Sequence, residues 1–507
     1  MARKPTLQPT MTAPAPATTP EQWRDTLVAG LAGRQAAIRR CDAYYRGEHR
    51  MAFSTAQYRE VFGTLFSHFA DNWCDLVVDA SAERLRVEGF RFGADQEADV
   101  DAWDIWQRNK MDAESDMAHT DAIKLGATYV LIGADDGGKA SMQVEPADHA
   151  IVALDPAQGR HRLAGLRLWT DEFKVEHCAL YLPDEIVWWR REAGATGEAA
   201  GKWEEDLGSG TNPLGVVPLI PLANAPTLGD RLGRSDIERV IPLQDAVNKL
   251  CADMIVASEF AAYPQRWATG IEIPVNPETG EKMAPNFLGG ADRVWGVESD
   301  QARFGNFQVA ELASYVRAIE MCIQHVAAQT RTPPHYLLGS SGAFPSGESL
   351  KATETGLVAK VRRKQLSFGE GWEEAIRLAF AVEGDKQRAE TVEVETIWAN
   401  PESRLVAETV DAAVKLAGIG VPRPALWEYV GASPQQVTRW REEGDPKSSP
   451  PTRETIQVQA TPDQAQAFNE GEPIPEVTPG DSVLVPKTSP APPASTRPST
   501  TGGKSGK

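Results

Sequence analysis

The segment 346-SGESLKATETGLVAKVRRKQLSFGEGWEEAIRLAFA-381 decides the fold. Its apolar residues Leu350, Leu357, Val361, Phe368, Trp372, Ile376 and Phe380 recur in steps of four and seven, so they share one helical face. Unbroken, at about 1.5 Å per residue, such a helix would exceed about 50 Å. That is more than one compact domain needs, and it suggests an elongated subunit whose stripe packs against neighbouring copies. Gly356, Gly369 and Gly371 predict a bend, and Ser346 is a candidate N-cap.

Two further amphipathic helices precede it. The first is predicted over 236–260, with Val240, Val247, Leu250, Met254 and Ala257 on one side. The second is predicted over 310–330, with Leu312, Tyr315, Val316, Ile319, Ile323 and Val326. Between them, residues 261–308 are too rich in turn signals for a helix. Arg266-Trp267-Ala268-Thr269-Gly270-Ile271 and Arg293-Val294-Trp295-Gly296-Val297 read as short strands of a small module on two helical legs. After the second helix, Pro333 and Pro334 stop the chain and His335, Tyr336, Gly342, Phe344, Ser346 and Gly347 follow in a Pro/Gly loop.

Upstream, residues 1–20 read as a disordered arm without the apolar core of a secretory signal. Trp23, Leu27, Leu31 and Ile38 mark a first helix, and a second is predicted over 64–82. A strand over 84–92 and short helices over 98–109 and 114–125 follow. From 127 to 206 the period changes to two, with a hairpin signal at Asp136-Gly137-Gly138, which predicts one meandering antiparallel sheet. Residues 212–230 read as an extended Pro/Gly connector. A strand is expected over 390–398 and helices over 401–443. The Pro- and Ser/Thr-rich segment 446–507 reads as disordered.

The 507 residues leave room for several domains, and 41% apolar content is enough for a globular core. The formal net charge of -19 argues against a DNA binder that works by neutralising phosphates. The cysteines Cys41, Cys74, Cys178, Cys251 and Cys322 are far apart, with no Cys-x-x-Cys pair, and read as buried thiols. No apolar run is long enough for a membrane span.

Catalytic motifs are missing. No His-Glu-x-x-His or Gly-x-Ser-x-Gly occurs. The stretch from Gly229 to Ser235 is one residue short of a phosphate loop and carries Arg234 where Lys is needed, so it reads as a turn entering a helix. Glu48-His49 reads as a surface pair, and Cys322, one helical turn from His325, as a core cysteine. Lys360, Arg362, Arg363 and Lys364 form the strongest basic cluster and read as a solvated helical face. The segment 425–440 resembles a generic helix-turn-helix, but Glu442, Glu443 and Asp445 beside it oppose phosphate contact.

Taken in order, these stretches resemble the phage portal proteins, specifically the family related to the portal of a Bacillus siphophage and common in phages of actinobacteria. The likeness covers roughly Trp23 to Trp440. It is carried by Asn72-Trp73-Cys74-Asp75-Leu76-Val77-Val78-Asp79, Arg84-Leu85-Arg86-Val87-Glu88-Gly89-Phe90 and Gly233-Arg234-Ser235-Asp236-Ile237. Tyr263-Pro264-Gln265-Arg266-Trp267, Thr332-Pro333-Pro334-His335-Tyr336-Leu337 and Ser346-Gly347-Glu348-Ser349-Leu350-Lys351 extend it.

The resemblance implies an α+β, elongated portal-type subunit. Residues 21–230 would be the wing, 231–260 and 309–331 the stem helices, and 261–308 a small α/β clip with Arg266, Trp267 and Trp295. Residues 332–347 would form the tunnel loop, 348–400 the long wing helix and strand, and 401–445 an α-helical crown. Val240, Val247, Leu250, Met254, Leu312, Val316, Ile319, Ile323 and Val326 would lie at the stem and subunit interface. The implied protein is not an enzyme and needs no cofactor or metal. It would form a ring, usually dodecameric, in the virion at one capsid vertex after assembly in the host cytoplasm. Its partners would be the major capsid protein and scaffold, the terminase large subunit, the head–tail adaptor and duplex DNA passing without sequence specificity, with no membrane. The alternatives are a DNA-binding regulator using 425–440 and an enzyme whose site is assembled from distant residues.

Overall fold

The computed structural model describes residues 19–49, 71–93, 98–159, 161–192, 194, 201–206, 208–262, 266–270, 275–280, 301–308, 311–337, 347–402 and 406–442. The chain divides into two units, 1–443 and 444–507, and every described residue belongs to the first.

Helix α1 (Pro20–Tyr45) opens on a capping box. The Gln22 amide donates to the Thr19 hydroxyl, the Thr19 amide donates to the Gln22 side chain, and Pro20 fills the first helical position. Next come α2 (Cys74–Ala82), β1 (Val87–Phe92), α3 (Val100–Arg108) and α4 (Met111–Leu125). A run of strands follows: β2 (Ala127–Ala134), β3 (Ala140–Glu145), β4 (Ala150–Leu154), β5 (Arg162–Thr170), β6 (Val175–Tyr181), β7 (Glu185–Glu192), β8 (Glu204–Glu205), β9 (Gly210–Thr211) and β10 (Leu219–Ala223). Helix α5 (Ile241–Ala262) leads through β11 (Arg266–Thr269) and β12 (Arg303–Asn306) into α6 (Leu312–Thr330). The short α7 (Pro334–Leu337) precedes α8 (Gly347–Glu383). The described chain ends with α9 (Lys386–Glu390), β13 (Val394–Trp398), α10 (Val406–Gly418), α11 (Arg423–Val430) and α12 (Pro434–Glu442).

The sequence expects one meander where the structure has two sheets. Strands β4-β5-β6-β7-β8 form one antiparallel sheet, with β9 also paired to β7. Strands β10-β2-β3 form another, and β10 comes from the stretch expected to be a bare connector. Alternating side chains sort into layers. Leu27 and Leu31 of α1 pack with Leu166, Cys178, Leu180 and Trp189 on one face of the larger sheet. Val152, Ala179 and Tyr181 on its other face meet Tyr129, Leu131 and Leu219 of the smaller sheet. Val130 and Ile132 point the opposite way, into the main core with α8. Strand β2 is therefore covered on both faces, which explains why Thr128 to Ile132 is buried throughout rather than alternating.

Helix α8 runs uninterrupted through Gly356, Gly369 and Gly371. Leu357, Val361, Phe368, Trp372, Ile376 and Phe380 are all buried, as their spacing requires. Gly371 has a packing reason, because a Cβ there would overlap Leu222 of β10. Strand β13 brings the chain back to pair with β1, more than 300 residues away, with Phe90 opposite Thr396. The predicted helix over 64–82 begins only at Cys74, and residues 64–70 lie outside the described ones. Asn72 and Trp73 stay non-helical because the Trp73 amide donates to Gln244 Oε1 and the Cys74 amide to Asn72 Oδ1.

At the centre of the main core, His119 is fully buried against Phe368, Trp372 and Trp398. The Trp372 indole N–H donates to His119 Nε2 at 2.9 Å, and His119 Nδ1 lies 3.1 Å from the Leu85 carbonyl. One neutral tautomer, with the proton on Nδ1, satisfies both partners. Burial pushes the imidazole down to about 3, despite the Leu85 carbonyl pulling the other way. The unfolded chain therefore takes up a proton below pH 6.5 that the folded chain refuses. Stability from this group is present above pH 6.5 and falls by about 1.4 kcal/mol per pH unit below it. Chemical unfolding of wild type and His119→Gln between pH 6.5 and 5 should show the wild-type slope steeper by that amount.

Candidate functional site

The connector after β10 crosses the end of α4 in a tight joint. The Asn224 amide donates to the Gly126 carbonyl at 2.8 Å, and the Arg234 amide donates to the Asn224 carbonyl at 2.9 Å. The Asp236 amide donates to the Ile123 carbonyl at 3.0 Å, and the Ser235 hydroxyl to the Lys124 carbonyl at 2.5 Å. Gly233 has φ +84, and a Cβ there would run into the Gly126 and Asn224 carbonyl oxygens. Only glycine permits that approach without strain.

The joint delivers one carboxylate into the protein. Lys360 Nζ lies 2.9 Å and Lys364 Nζ 3.0 Å from Asp236 Oδ2, both from α8. The Asn224 side-chain amide donates to Asp236 Oδ1 at 3.0 Å, and Lys364 also donates to Asn224 Oδ1. The Lys364 side chain is only 4% exposed. Burial alone would raise the Asp236 carboxyl, but the two ammonium groups hold it well below the usual carboxylate range. Burial pushes Lys364 down to about 8, opposed by Asp236.

This joint floors a cleft of about 1340 Å³ between the connector, α8 and the approach to α5. In a chain of net charge -19, the cleft is basic. Arg162 is tied bidentately to Glu374 at 2.9 and 2.6 Å, and Arg234 lies 3.2 Å from Asp230. Arg231, Arg239, Arg331 and Arg363 also line the cleft and pair with no carboxylate among the described residues, and Arg377 lines it within the field of Glu373. Leu228 and Leu366 stand on its walls 90% and 75% exposed. The basic cluster on α8 is therefore a solvated face only in part. Arg362 and Arg363 are exposed, Arg362 paired with Glu402, while Lys364 is buried and Lys360 is 14% exposed.

Several expected site residues have other duties. Val240, Val247, Ile323 and Val326 are buried in the core of a single copy. Leu250 and Ile319 pack half-buried against the same core. Met254 and Leu312 are half-buried, and Val316 is 45% exposed. Pro333 and Leu337 are buried, and Pro334 to Leu337 form α7 rather than open loop. Arg84 donates to the Tyr336 hydroxyl at 2.6 Å and lies 3.3 Å from Glu354, which also receives the Tyr336 hydroxyl at 3.2 Å. His335 Nε2 stands 4.0 Å from Glu354. Gly342, Phe344, Ser346 and Trp295 lie outside the described residues, Gly347 begins α8, and Arg266 and Trp267 lie on β11.

The remaining chemical candidates resolve into packing. His49 stacks on Tyr44 at 4.0 Å with Nε2 2.7 Å from Asn248 Nδ2. Cys322 is buried while His325 is exposed. In the helix-turn-helix-like segment, Gln435 donates to the Glu88 carbonyl of β1 at 3.1 Å, which docks α12 on the body. Among the described residues no cluster of His, Cys, Asp or Glu is arranged to hold a metal, and no helix is long and apolar enough to cross a membrane.

Asn224, Arg231, Arg239, Arg331 and Arg377 carry no sequence signal that singles them out. Lys364 does carry one: positions 357, 361, 364 and 368 follow the helical period, which puts this lysine inside the apolar stripe.

Comparison with known proteins gives consistent matches. The family model described as "Phage portal protein, SPP1 Gp6-like" matches residues 34–448. The portal protein of Mycobacterium phage D29 is 32% identical over 458 residues, covering 85% of this chain and 92% of its own. That of Mycobacterium phage L5 is 31% identical over 458 residues, covering 85% and 91%. Among solved structures, a chain from the virion of a native gene transfer agent particle matches with TM-score 0.41 at 12% identity, covering 79% of this chain and 99% of its own. A chain from the neck of the native particle computed with C12 symmetry matches with TM-score 0.43 at 12% identity, covering 76% and 97%.

The joint makes a direct prediction. Gly233→Ala should lower stability by more than about 2 kcal/mol, from left-handed strain plus backbone overlap. Gly229→Ala, where a Cβ meets nothing within 4 Å, should leave the melting temperature unchanged.

Proposed function

The chain belongs to the SPP1 Gp6-like family of phage portal proteins, and we propose that copies of it close into a dodecameric ring at one capsid vertex. The ring is the channel for DNA packaging and ejection. It docks the terminase large subunit and later the head–tail adaptor, and it meets the major capsid protein and scaffold during assembly in the host cytoplasm. The chain does no catalysis of its own, and the terminase supplies ATP hydrolysis. The observation that carries the reading is the extent of the family match, residues 34–448, which includes α5, α6 and α8.

The physical chemistry of the subunit supports it. Helices α5 and α6 pair with each other, yet α5 beyond Ala252 and α6 before Cys322 have no described residue that is fully buried. Val316 and Met321 are 45% and 52% exposed there. Apolar side chains left half-wet along two paired helices favour cover from identical neighbours, and a head-to-tail interface that closes by rotation makes a ring. On this reading α5 and α6 are the stem and residues 261–308 the clip facing the motor and adaptor. Residues 21–230 with 348–400 form the wing, 401–445 the crown, and 332–347 the tunnel loop that narrows the channel. Duplex DNA is a dense polyanion, so a channel of net acidic subunits does not hold it.

Negative-stain electron microscopy with solution mass tests the ring. The full-length protein should give rings with a central opening wide enough for duplex DNA. A chain that stays monomeric even with capsid and scaffold proteins would contradict the reading. Val316→Asp should keep the wild-type melting temperature and lower ring yield, whereas Ile323→Asp should unfold the subunit by burying a charge.

A further inference from the structure

We infer that the arginine cleft receives an acidic surface of a second copy of this chain: the row of Asp75 and Asp79 on α2 and Glu83 at its C-terminal cap, joined by Asp116 of α4. The inference rests on the ring reading and names the contact that would set the register between neighbouring subunits.

Two unequal surfaces carry it. The first is the cleft, where Arg231, Arg239, Arg331 and Arg363 stand without carboxylate partners among the described residues. The second is the acidic row. Positions 75, 79 and 83 recur every four residues and so share a helical face. None of Asp75, Asp79, Glu83 and Asp116 is ion-paired among the described residues, and Asp79 meets only the Tyr45 hydroxyl, at 2.9 Å. The four carboxylates share one field. Burial raises the Asp79 carboxyl, and Asp75, Glu83 and Asp116 add to that rise. A row of unneutralised like charges is costly alone and is relieved by an apposed positive surface.

The cleft favours a protein partner over the DNA backbone. Leu228 and Leu366 stand almost fully exposed on its walls, and Glu370 and Glu374 share them. A phosphate backbone would leave the leucines wet. A folded protein surface can cover the leucines while its acids meet the arginines. Since the cleft and the acidic row are different surfaces of one sequence, their pairing is heterologous, the type that closes into rings.

The test is charge reversal in the full-length chain, read by ring yield. Arg231→Glu with Arg363→Glu alters the cleft, and Asp75→Lys with Glu83→Lys alters the row. Each pair should lower ring yield at least tenfold without changing the melting temperature of the subunit. All four substitutions together should restore yield to within about threefold of wild type, because complementarity returns with its sign inverted. The contact is overturned if the fourfold variant assembles no better than either pair, or if the cleft pair assembles like wild type while wild type forms rings. Unchanged ring yield with loss of duplex DNA binding would overturn it in favour of a phosphate contact. A wild-type chain that never forms rings would refute the ring reading itself, and this contact with it.

Discussion

One carboxylate holds this subunit together where its parts meet. Asp236 sits out of water between Lys360 and Lys364, with Asn224 satisfying its other oxygen. Burying three charges is costly, and the cost is offset by two ammonium groups at 2.9 and 3.0 Å from one carboxylate and by the Asn224 hydrogen bond. Removing one partner of such a group typically costs about 3–5 kcal/mol, since the remainder is left charged and dry. The residues come from three places in the chain: the strand-bearing connector, the approach to α5, and the middle of α8. The group therefore fixes where α5 departs relative to the layered body.

The rest follows from that fixed point. Helix α8 lies on the small sheet at Gly371 and is held elsewhere by Arg162 with Glu374 and by Arg84 with Glu354. Its far end is held by Arg108 and Lys139 on Glu383. A helix tied along its length transmits position from one end of the body to the other. Helices α5 and α6 then leave this body with their outer halves thinly covered. In the proposed ring that division would be useful: a rigid body would set the geometry, and the paired helices would offer apolar surface to neighbours.

The long elements were legible from sequence because their periods are strong. The stripe of α8, the alternation of β4 to β7 and the helix–insert–helix order all stand in the structure. What escaped was non-local or atypical. Strand β10 hides in a Pro/Gly-rich stretch, and Pro221 is tolerated because β10 is an edge strand that needs no donor on its outer side. The pairing of β1 with β13 spans most of the chain and leaves no local trace. Stripe residues such as Val247 and Val326 showed that they would be buried, but periodicity does not say against what, and their own core claims them. The cleft was invisible because its arginines come from separate elements. Lys364 was readable in its period and misread because lysine is so seldom buried.

The claim underneath all of this is that Asp236 and Lys364 are energetically coupled. A double-mutant cycle of Asp236→Asn and Lys364→Met, followed by urea unfolding at pH 7, measures that coupling directly. The account predicts an interaction energy above about 1.5 kcal/mol, with the double variant more stable than the sum of the single losses implies. Additivity within about 0.5 kcal/mol would contradict it and reduce the buried carboxylate to a bystander.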